Sequence, residues 1–337
     1  MGDSPGGDGS GNSLPPRPST ARRAKCMKAL SASAAALFAA LIVLVITPLA
    51  SATFSGENGR IVFQRNTGTL DLFTVRPNGK GLFRLANPHG LVNAFAADWS
   101  PNGRWVAYQR LSEETRGYIF RIRRDGTHRQ NLSKQSCLGT CSAEHLPAWS
   151  PDGTRIAYAR EASFSARWRI YVKDADGMDA HQVVPSRPRT RDYGPQWSPS
   201  GKRLVFARSD FHRNKSAVFT VRLDGTPLHR ITPWWMDAGG SLDWSPNGRW
   251  ILFQNHSSSD EQSTLWLMHP NGEKRHRITT TAGGTVTWGS GSFSPDGQRI
   301  VVTQGDAIYV LSKQGEILRN VTASSVDGDP DWGSRPS

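Results

Sequence analysis

The feature that most constrains this 337-residue chain is a segment that recurs five times. Each copy has an aromatic residue, then Ser-Pro-X-Gly with X mostly Asn or Asp, then β-branched and aromatic residues. Proline presets φ, Asn or Asp bonds to nearby backbone, and glycine closes a type I turn, so each copy predicts a hairpin. The copies are ADWSPNGRWVAYQR (97–110), AWSPDGTRIAYAR (148–160), QWSPSGKRLVFAR (196–208), DWSPNGRWILFQN (243–255) and SFSPDGQRIVVTQ (292–304).

A second segment recurs six times in step with the first. Alternating apolar residues lead into a turn centred mostly on Asp-Gly or Asn-Gly, and this pattern predicts another hairpin. Two hairpins per repeat give a four-stranded unit. The copies begin at residues 72, 119, 170, 218, 265 and 308, as in LFTVRPNGKGLFRLA (72–86).

The missing sixth copy of the first segment is divided between the two ends of the chain. Residues 58–63 supply its turn and second strand, and residues 330–332 supply its aromatic first strand. Repeats of this size predict an all-β, six-bladed β-propeller of four-stranded antiparallel blades, closed by a blade that the N- and C-termini share. One aromatic per blade at a fixed position predicts packing between blades: Trp99, Trp149, Trp197, Trp244, Phe293 and Trp332.

The W-S-P-D-G-x-R-I-A-Y pattern followed by I-Y-V-x-x-x-D-G resembles the WD-like repeat of TolB-type bacterial propellers. The resemblance spans about residues 57–333 and implies a binding role at the cell envelope. The α/β domain that precedes the TolB propeller has no counterpart in the sequence. The repeat also resembles the propellers of prolyl oligopeptidases, but the repeats leave no room for their hydrolase domain.

The N-terminal 52 residues differ in composition from the rest. Residues 1–24 are rich in Gly, Pro and Ser and predict a disordered leader. A basic stretch, an apolar run over 29–50 and Ala50-Ser51-Ala52 follow, so residues 25–52 predict either a cleaved signal peptide or a membrane anchor and tether. Both alternatives place the propeller, residues 53–337, outside the cytoplasm: secreted, periplasmic or at the cell envelope.

Cysteine use fits that location. Cys26 lies before the apolar run, which leaves Cys137 and Cys141 as an isolated pair, and such a pair in an oxidising compartment predicts a disulfide. No further Cys/His pair stands at ligand spacing, so no metal site and no cofactor are predicted.

The charge balance is strongly basic. The formal net charge is +13, and because residues 1–52 carry five Arg or Lys and two Asp, the remainder keeps +10. A basic exported protein favours anionic partners, such as an envelope protein, a peptide or a wall polymer, whereas export argues against nucleic acid. A charge that only keeps the protein soluble is the alternative.

Candidate binding residues come from the segments that interrupt the repeat. These segments connect the outer strand of one blade to the inner strand of the next and gather at one mouth of the channel. Three arginines in VPSRPRTRDYGP form a donor-rich strip suited to carboxylate or phosphate, and a solvated loop with no binding role is the alternative. The full set is His89, His145, Arg187, Arg189, Arg191, Tyr193, Trp234, Trp235, Asp237, Trp288, Asp327 and Asp329.

No set of catalytic residues is recognisable, so the leading hypothesis is a non-catalytic, monomeric scaffold that binds its partner at the channel mouth. The alternative is an extracytoplasmic lyase or hydrolase that acts on a polysaccharide or small molecule in the channel. The aspartates before the repeat tryptophans (Asp98, Asp243 and Asp331) could line that channel or hold backbone amides; their place in the repeat favours structure.

Overall fold

The structure is a computed structural model. It describes residues 54–86, 92–111, 117–134, 136, 141, 143–162, 167–256, 263–279, 287–323 and 326–336. The predicted leader and signal or anchor (1–24 and 25–52) therefore lie outside the described residues. Within the described ranges, no helix is long and apolar enough to cross a membrane.

The described residues form twenty-four strands in six four-stranded antiparallel sheets, which are numbered as blades 1 to 6 along the chain. Blade 1 contains β1 (Asn58–Asn66), β2 (Leu70–Val75), β3 (Phe83–Ala86) and β24 (Asp327–Ser334); blade 2 contains β4 (Asn93–Trp99), β5 (Trp105–Leu111), β6 (Tyr118–Arg123) and β7 (Gln130–Asn131); blade 3 contains β8 (Ala143–Trp149), β9 (Arg155–Glu161), β10 (Trp168–Asp174) and β11 (His181–Gln182). Blade 4 contains β12 (Thr190–Trp197), β13 (Arg203–Asp210), β14 (Lys215–Arg222) and β15 (His229–Arg230); blade 5 contains β16 (Ala238–Trp244), β17 (Ile251–His256), β18 (Ser263–Met268) and β19 (His276–Arg277); blade 6 contains β20 (Trp288–Phe293), β21 (Arg299–Gln304), β22 (Ala307–Ser312) and β23 (Ile317–Asn320). A 3-10 turn, Trp234–Met236, precedes blade 5.

The ring closes through blade 1, as predicted. In this sheet the order is β24-β1-β2-β3, so the last strand of the chain pairs with the first. Ile61 lies opposite Trp332, and Arg65 lies opposite Asp327. Contacts between successive inner strands run around the whole ring and connect β24 to both β20 and β4. The six-bladed, all-β architecture is therefore confirmed.

The repeated turns have the predicted hydrogen bonding. At Ser100–Gly103 the glycine N–H donates to the serine carbonyl at 2.8 Å. The Asn102 side chain accepts from the Arg104 N–H at 3.0 Å, and Gly103 has φ +61°, which a side chain would disfavour. The other four copies repeat the glycine-to-serine bond. These turns lie at the opposite face of the ring from the connections between blades.

The repeat aromatics are buried where neighbouring blades meet. All six have relative exposures of 4% or less. The Trp197 indole N–H donates to the Ala148 carbonyl of the preceding blade at 3.0 Å. A Cβ placed on Gly333 would come within 2.4 Å of the Trp99 ring, so the blade 1 backbone lies directly against this ring.

Buried aspartates connect consecutive inner strands. In three blades, the aspartate before the repeat aromatic accepts the backbone N–H of the aromatic in the next blade. The contacts are Asp98 to Trp149 (2.6 Å), Asp243 to Phe293 (2.6 Å) and Asp331 to Trp99 (2.8 Å). These carboxylates thus hold backbone amides and fix one blade against the next.

Asp331 gives a pH dependence that can be measured. Complete burial raises the pKa of its carboxyl to about 7, although hydrogen bonds from Trp99 and Ser292 oppose the shift. The folded state keeps the proton to higher pH than the unfolded chain, whose Asp pKa is about 3.9. The stability due to Asp331 is therefore complete below about pH 4 and is lost as the pH rises through about 7.

We expect Asp331→Asn, which imitates the protonated form, to remove this loss. The melting temperature of the variant minus that of the wild type should rise between pH 5 and pH 8. Asp306→Asn, which removes one exposed carboxylate, is the control for the change in net charge. If the difference in melting temperature between Asp331→Asn and the wild type does not change with pH, Asp331 does not lose a proton in this pH range.

A second repeated contact was not evident in the sequence. In blades 1, 3 and 4, an acid near the start of the inner strand lies opposite an arginine near the end of the second strand and forms an ion pair with it. The pairs are Asp327–Arg65 (2.6 Å), Glu144–Arg160 (2.9 Å) and Asp192–Arg208 (2.6 Å). They lie at the same end of three blades.

Candidate functional site

The inner strands carry a β-bulge at one common position near the channel mouth. Register shifts occur between Phe95 and Asp98, between His145 and Ala148, and between Tyr193 and Gln196, with counterparts in the other three blades. Bulges redirect side chains and are frequent beside functional sites. His145 and Tyr193 are the last paired residues before this irregularity in blades 3 and 4.

His145 lies at the centre of a cluster between blades 2 and 3. Its ring stacks on Trp168, with 4.2 Å between centroids and an interplanar angle of 16°. Its Nδ1 lies 2.8 Å from Gln109 Nε2 of blade 2. Because the amide nitrogen donates, Nδ1 accepts and the proton of the neutral ring is on Nε2.

The Nε2 atom of His145 is buried and has no hydrogen-bond partner among the described residues. Glu161 Oε2 lies 3.8 Å away, which is beyond hydrogen-bonding distance but close enough for electrostatic attraction. A buried donor without a partner is costly and usually indicates a water molecule or a ligand group. The cluster therefore presents a donor directed at a partner outside the described chain.

Arg191 and Tyr193 extend the cluster from blade 4. The guanidinium carbon of Arg191 lies 4.9 Å from the Trp168 ring centroid and 5.6 Å from the Tyr193 ring centroid. Arg191 Nε is buried and has no hydrogen-bond partner within the described ranges. Of the predicted residues, the structure thus brings together His145, Arg191 and Tyr193.

The arginine-rich connection is held in place by Arg169. The guanidinium of this buried residue donates to the Thr190 carbonyl at 2.7 Å and to the Arg187 carbonyl at 2.5 Å. Arg187 and Arg189 themselves are exposed, and Arg189 has φ +58°. A fixed backbone thus displays two exposed cations beside the Trp168 cluster.

The sequence of the chain matches the model of one known protein family. The sequence model of the TolB beta propeller domain matches residues 142–335, more than half of the chain. The chain belongs to the TolB beta propeller domain family. A comparison with curated proteins found no match.

Solved structures show how widely the fold of this TolB-family propeller is shared. TolB from Acinetobacter baumannii is 19% identical, with 82% of this chain and 67% of that chain covered and a TM-score of 0.63. A chain of the nidogen/laminin complex is 12% identical (81% and 98% covered, TM-score 0.64). Oligogalacturonate lyase in complex with manganese is 14% identical (81% and 76% covered, TM-score 0.55). Similarity at these identities shows the fold alone.

The other predicted residues of the TolB-family propeller do not join the cluster. Trp234 packs on Phe219 with 5.9 Å between centroids, whereas Trp235 is 77% exposed. Asp237 accepts the Ser216 N–H at 2.7 Å and Lys215 Nζ at 3.1 Å. These contacts join the 3-10 turn to blade 4.

Three further candidates are buried within blades, and one is not described. Trp288 packs in the core of blades 5 and 6, and Gln254 donates to its carbonyl at 2.8 Å. Asp327 is ion-paired with Arg65, and Asp329 accepts from the Ser290 hydroxyl at 2.8 Å. His89 lies outside the described residues. So does Cys137, and its disulfide with Cys141 therefore stays a prediction. Across the described ranges, no group of three His, Cys, Asp or Glu residues could hold a metal ion.

Sequence reasoning missed Trp168, Gln109, Glu161 and Arg169. Trp168 had a visible signal, because the corresponding residues in the other five repeats are Leu70, Gly117, Ser216, Ser263 and Asp306. A large aromatic that occurs at this position in only one of the six repeats indicates a role specific to that blade. The contact between Gln109 and His145 joins two neighbouring blades, and no pattern in the sequence of either blade indicates it.

Proposed function

We propose that this TolB-family propeller is an extracytoplasmic binding protein that holds an acidic segment of a partner protein at the mouth between blades 3 and 4. The observation that carries the proposal is the grouping of Arg191 and His145, each with an unpartnered buried donor, beside exposed Arg187 and Arg189. Arginine forks and imidazole N–H groups suit carboxylates. The net positive charge of the chain would assist association.

Charge, rather than stacking, dominates this mouth. The Trp168 ring is already stacked on His145 and contacted by the Arg191 guanidinium, so it offers little open surface to a sugar ring. An acidic peptide needs only donors, and these are present. Protein partners are therefore favoured over a wall polysaccharide.

The location outside the cytoplasm is part of the proposal. It is supported by the family assignment together with the basic stretch, apolar run and small-x-small sequence of residues 25–52. Detection of the protein in an envelope or secreted fraction, with an N-terminus at or near residue 53, would establish export and cleavage. An intact N-terminus in a membrane fraction would favour the anchor instead.

We expect Arg187→Ser/Arg189→Ser to weaken binding of a ten-residue glutamate peptide at least about tenfold, because two charge-assisted contacts are lost. Isothermal titration calorimetry at low salt measures the dissociation constant. Both side chains are exposed, so the fold should be unchanged. Affinity should also fall with added salt.

The matched control is Lys202→Ser/Arg203→Ser. These two exposed cations belong to the same blade but lie at the turn on the opposite face. The control removes the same charge and should leave the dissociation constant nearly unchanged. Equal losses in the two variants would show that the peptide senses only net charge and would contradict a site at the mouth. Tighter binding of an anionic polysaccharide of equal charge would favour a wall polymer.

Catalysis is the second candidate function, and one contact favours it. His145 Nε2 and Glu161 Oε2 lie 3.8 Å apart and could act as an acid–base pair. If they do, His145→Gln should abolish turnover of an oligosaccharide substrate while retaining its binding. A binding protein would instead lose affinity for the acidic peptide in this variant.

A further inference from the structure

Blade 2 contains an arginine whose position matches those of the paired arginines in blades 1, 3 and 4. Arg110 lies opposite Ala94, just as Arg65 lies opposite Asp327 and Arg208 opposite Asp192. In blade 2, therefore, alanine holds the position that a carboxylate fills in three other blades.

The guanidinium of Arg110 has the same placement as its counterparts. In each of the four blades it lies over the aromatic ring of the third strand. The distances from guanidinium carbon to ring centroid are 5.0 Å for Arg65 and Phe73, 5.3 Å for Arg110 and Phe120, 4.4 Å for Arg160 and Tyr171, and 5.1 Å for Arg208 and Phe219. The arginine is thus directed at the same point in the blade whether or not an acid faces it.

The Nε atom of Arg110 corresponds to the Nε atoms that bind the acid in blades 1 and 4. Arg65 and Arg208 each hold their carboxylate through Nε and Nη2, with the Nε contact at 2.6 Å. Arg110 Nε is buried and has no hydrogen-bond partner among the described residues. In blade 3 the longer Glu144 binds Arg160 at Nη2 instead, and Arg160 Nε is also buried without a hydrogen-bond partner among the described residues.

The surrounding charges also differ between blades 2 and 3. Burial raises the pKa of Tyr108 to about 12, while the cations Arg129 and Arg110 lower it. At the equivalent Tyr158, burial and then the Glu144 carboxylate raise the pKa. The charges near Tyr108 in blade 2 are thus the two cations, whereas those near Tyr158 in blade 3 include a carboxylate.

We propose that blade 2 holds a carboxylate-binding site, in which a carboxylate from outside the chain takes the place opposite Arg110 that an acid fills in blades 1, 3 and 4 and accepts hydrogen bonds from Arg110 Nε and Nη2. The site is separate from the mouth cluster. Gln109, the neighbour of Arg110, turns to the opposite side of the sheet to reach His145. Failure of one site therefore leaves the other intact.

The test compares acetate with chloride at equal ionic strength, using the full chain and thermal unfolding. Acetate at about 100 mM should raise the melting temperature of the wild type by about 2–4 °C, because it binds the folded state. Arg110→Gln should remove this acetate-dependent shift. Absence of a shift in the wild type would overturn the proposal.

Ala94→Asp provides the second measurement, because it restores the residue pattern of the other blades. We expect this variant to melt above the wild type in chloride and to be insensitive to acetate. Ala94→Asn has nearly the same volume without the charge and should not reproduce the gain. A melting temperature of Ala94→Asp at or below that of Ala94→Asn would contradict the proposal. It would mean that the new carboxylate is buried without pairing with Arg110.

Discussion

Deletion of residues 330–337 is expected to lower the melting temperature by about 10 °C or more, or to prevent stable folding. It removes Trp332, which is 1% exposed, and Asp331, which fixes the Trp99 backbone. Loss of one buried tryptophan costs about 3–5 kcal/mol, and each kcal/mol corresponds to about 2–4 °C for a domain of this size. The inner edge of β1 would also lose its hydrogen-bonding partners.

Circular dichroism measures the melting temperature, and hydrogen exchange at Ile61, Val62 and Phe63 reports on the edge. Deletion of residues 336–337, beyond β24, is the control and should change the melting temperature by less than about 2 °C. Trp332→Ala in the full chain should produce a large part of the effect while leaving the strand in place. If the truncated protein keeps the wild-type melting temperature, the shared blade is not what closes the ring.

Glu144→Ala is expected to destabilise the propeller by about 3–5 kcal/mol, because it leaves buried cations without a countercharge. The Glu144 carboxylate contacts Lys173 Nζ at 2.5 Å and Arg160 Nη2 at 2.9 Å, and it accepts from the Ser133 and Ser136 hydroxyls. Burial alone would raise the pKa of Glu144, but Lys173, Ser133 and Arg160 lower it below its usual value. Burial lowers the pKa of Lys173 to about 8 against the opposing effect of Glu144. Denaturant unfolding near pH 7 measures the loss.

A double variant tests whether Lys173, left without its carboxylate, causes the loss of stability in Glu144→Ala. Residues equivalent to Lys173 in the other blades are Val75, Ile122, Val221, Met268 and Leu311, so an apolar side chain suits the position. Glu144→Ala/Lys173→Met should therefore be more stable than Glu144→Ala alone. Glu57→Ala is the control, because the Glu57–Arg335 pair is exposed and should contribute at most about 1 kcal/mol. An equal loss of unfolding free energy in the single and double variants would show that unpaired Arg160 or altered packing, and not Lys173, is the cause.

The ring could be predicted because each blade carries its own local signal. Turn residues such as Asn102 and Gly103 and alternating apolar strands act over short distances, and the divided repeat at 58–63 and 330–332 fixes the number of blades. The cross-strand ion pairs were not predicted, although the arginines recur at the end of the second strand. Their acids lie near the start of the inner strands, in segments whose sequences do not follow the repeat and so could not be aligned between blades.

The candidate site was predicted only in part, for a similar reason. His145, Arg191 and Tyr193 lie on the connections that were expected to form the mouth, and the structure brings them together. Asp327, Asp329 and Trp288 come from the same connections, but the β-bulges and neighbouring blades bury them. The direction in which a bulged strand presents each side chain depends on contacts between blades, and no single repeat encodes those contacts.

The shared blade also sets the order in which the molecule can be completed. Arg65 and Asp327 are partners across 262 positions of sequence, so β1 is made long before the strand that covers it. At synthesis rates of about 5–20 residues per second, that interval is roughly 13–50 s. If β1 pairs with β2 before synthesis ends, its other edge, which contains Ile61, Val62 and Phe63, is open to pairing with another chain until β24 arrives. The last strand is therefore the element that removes this open edge.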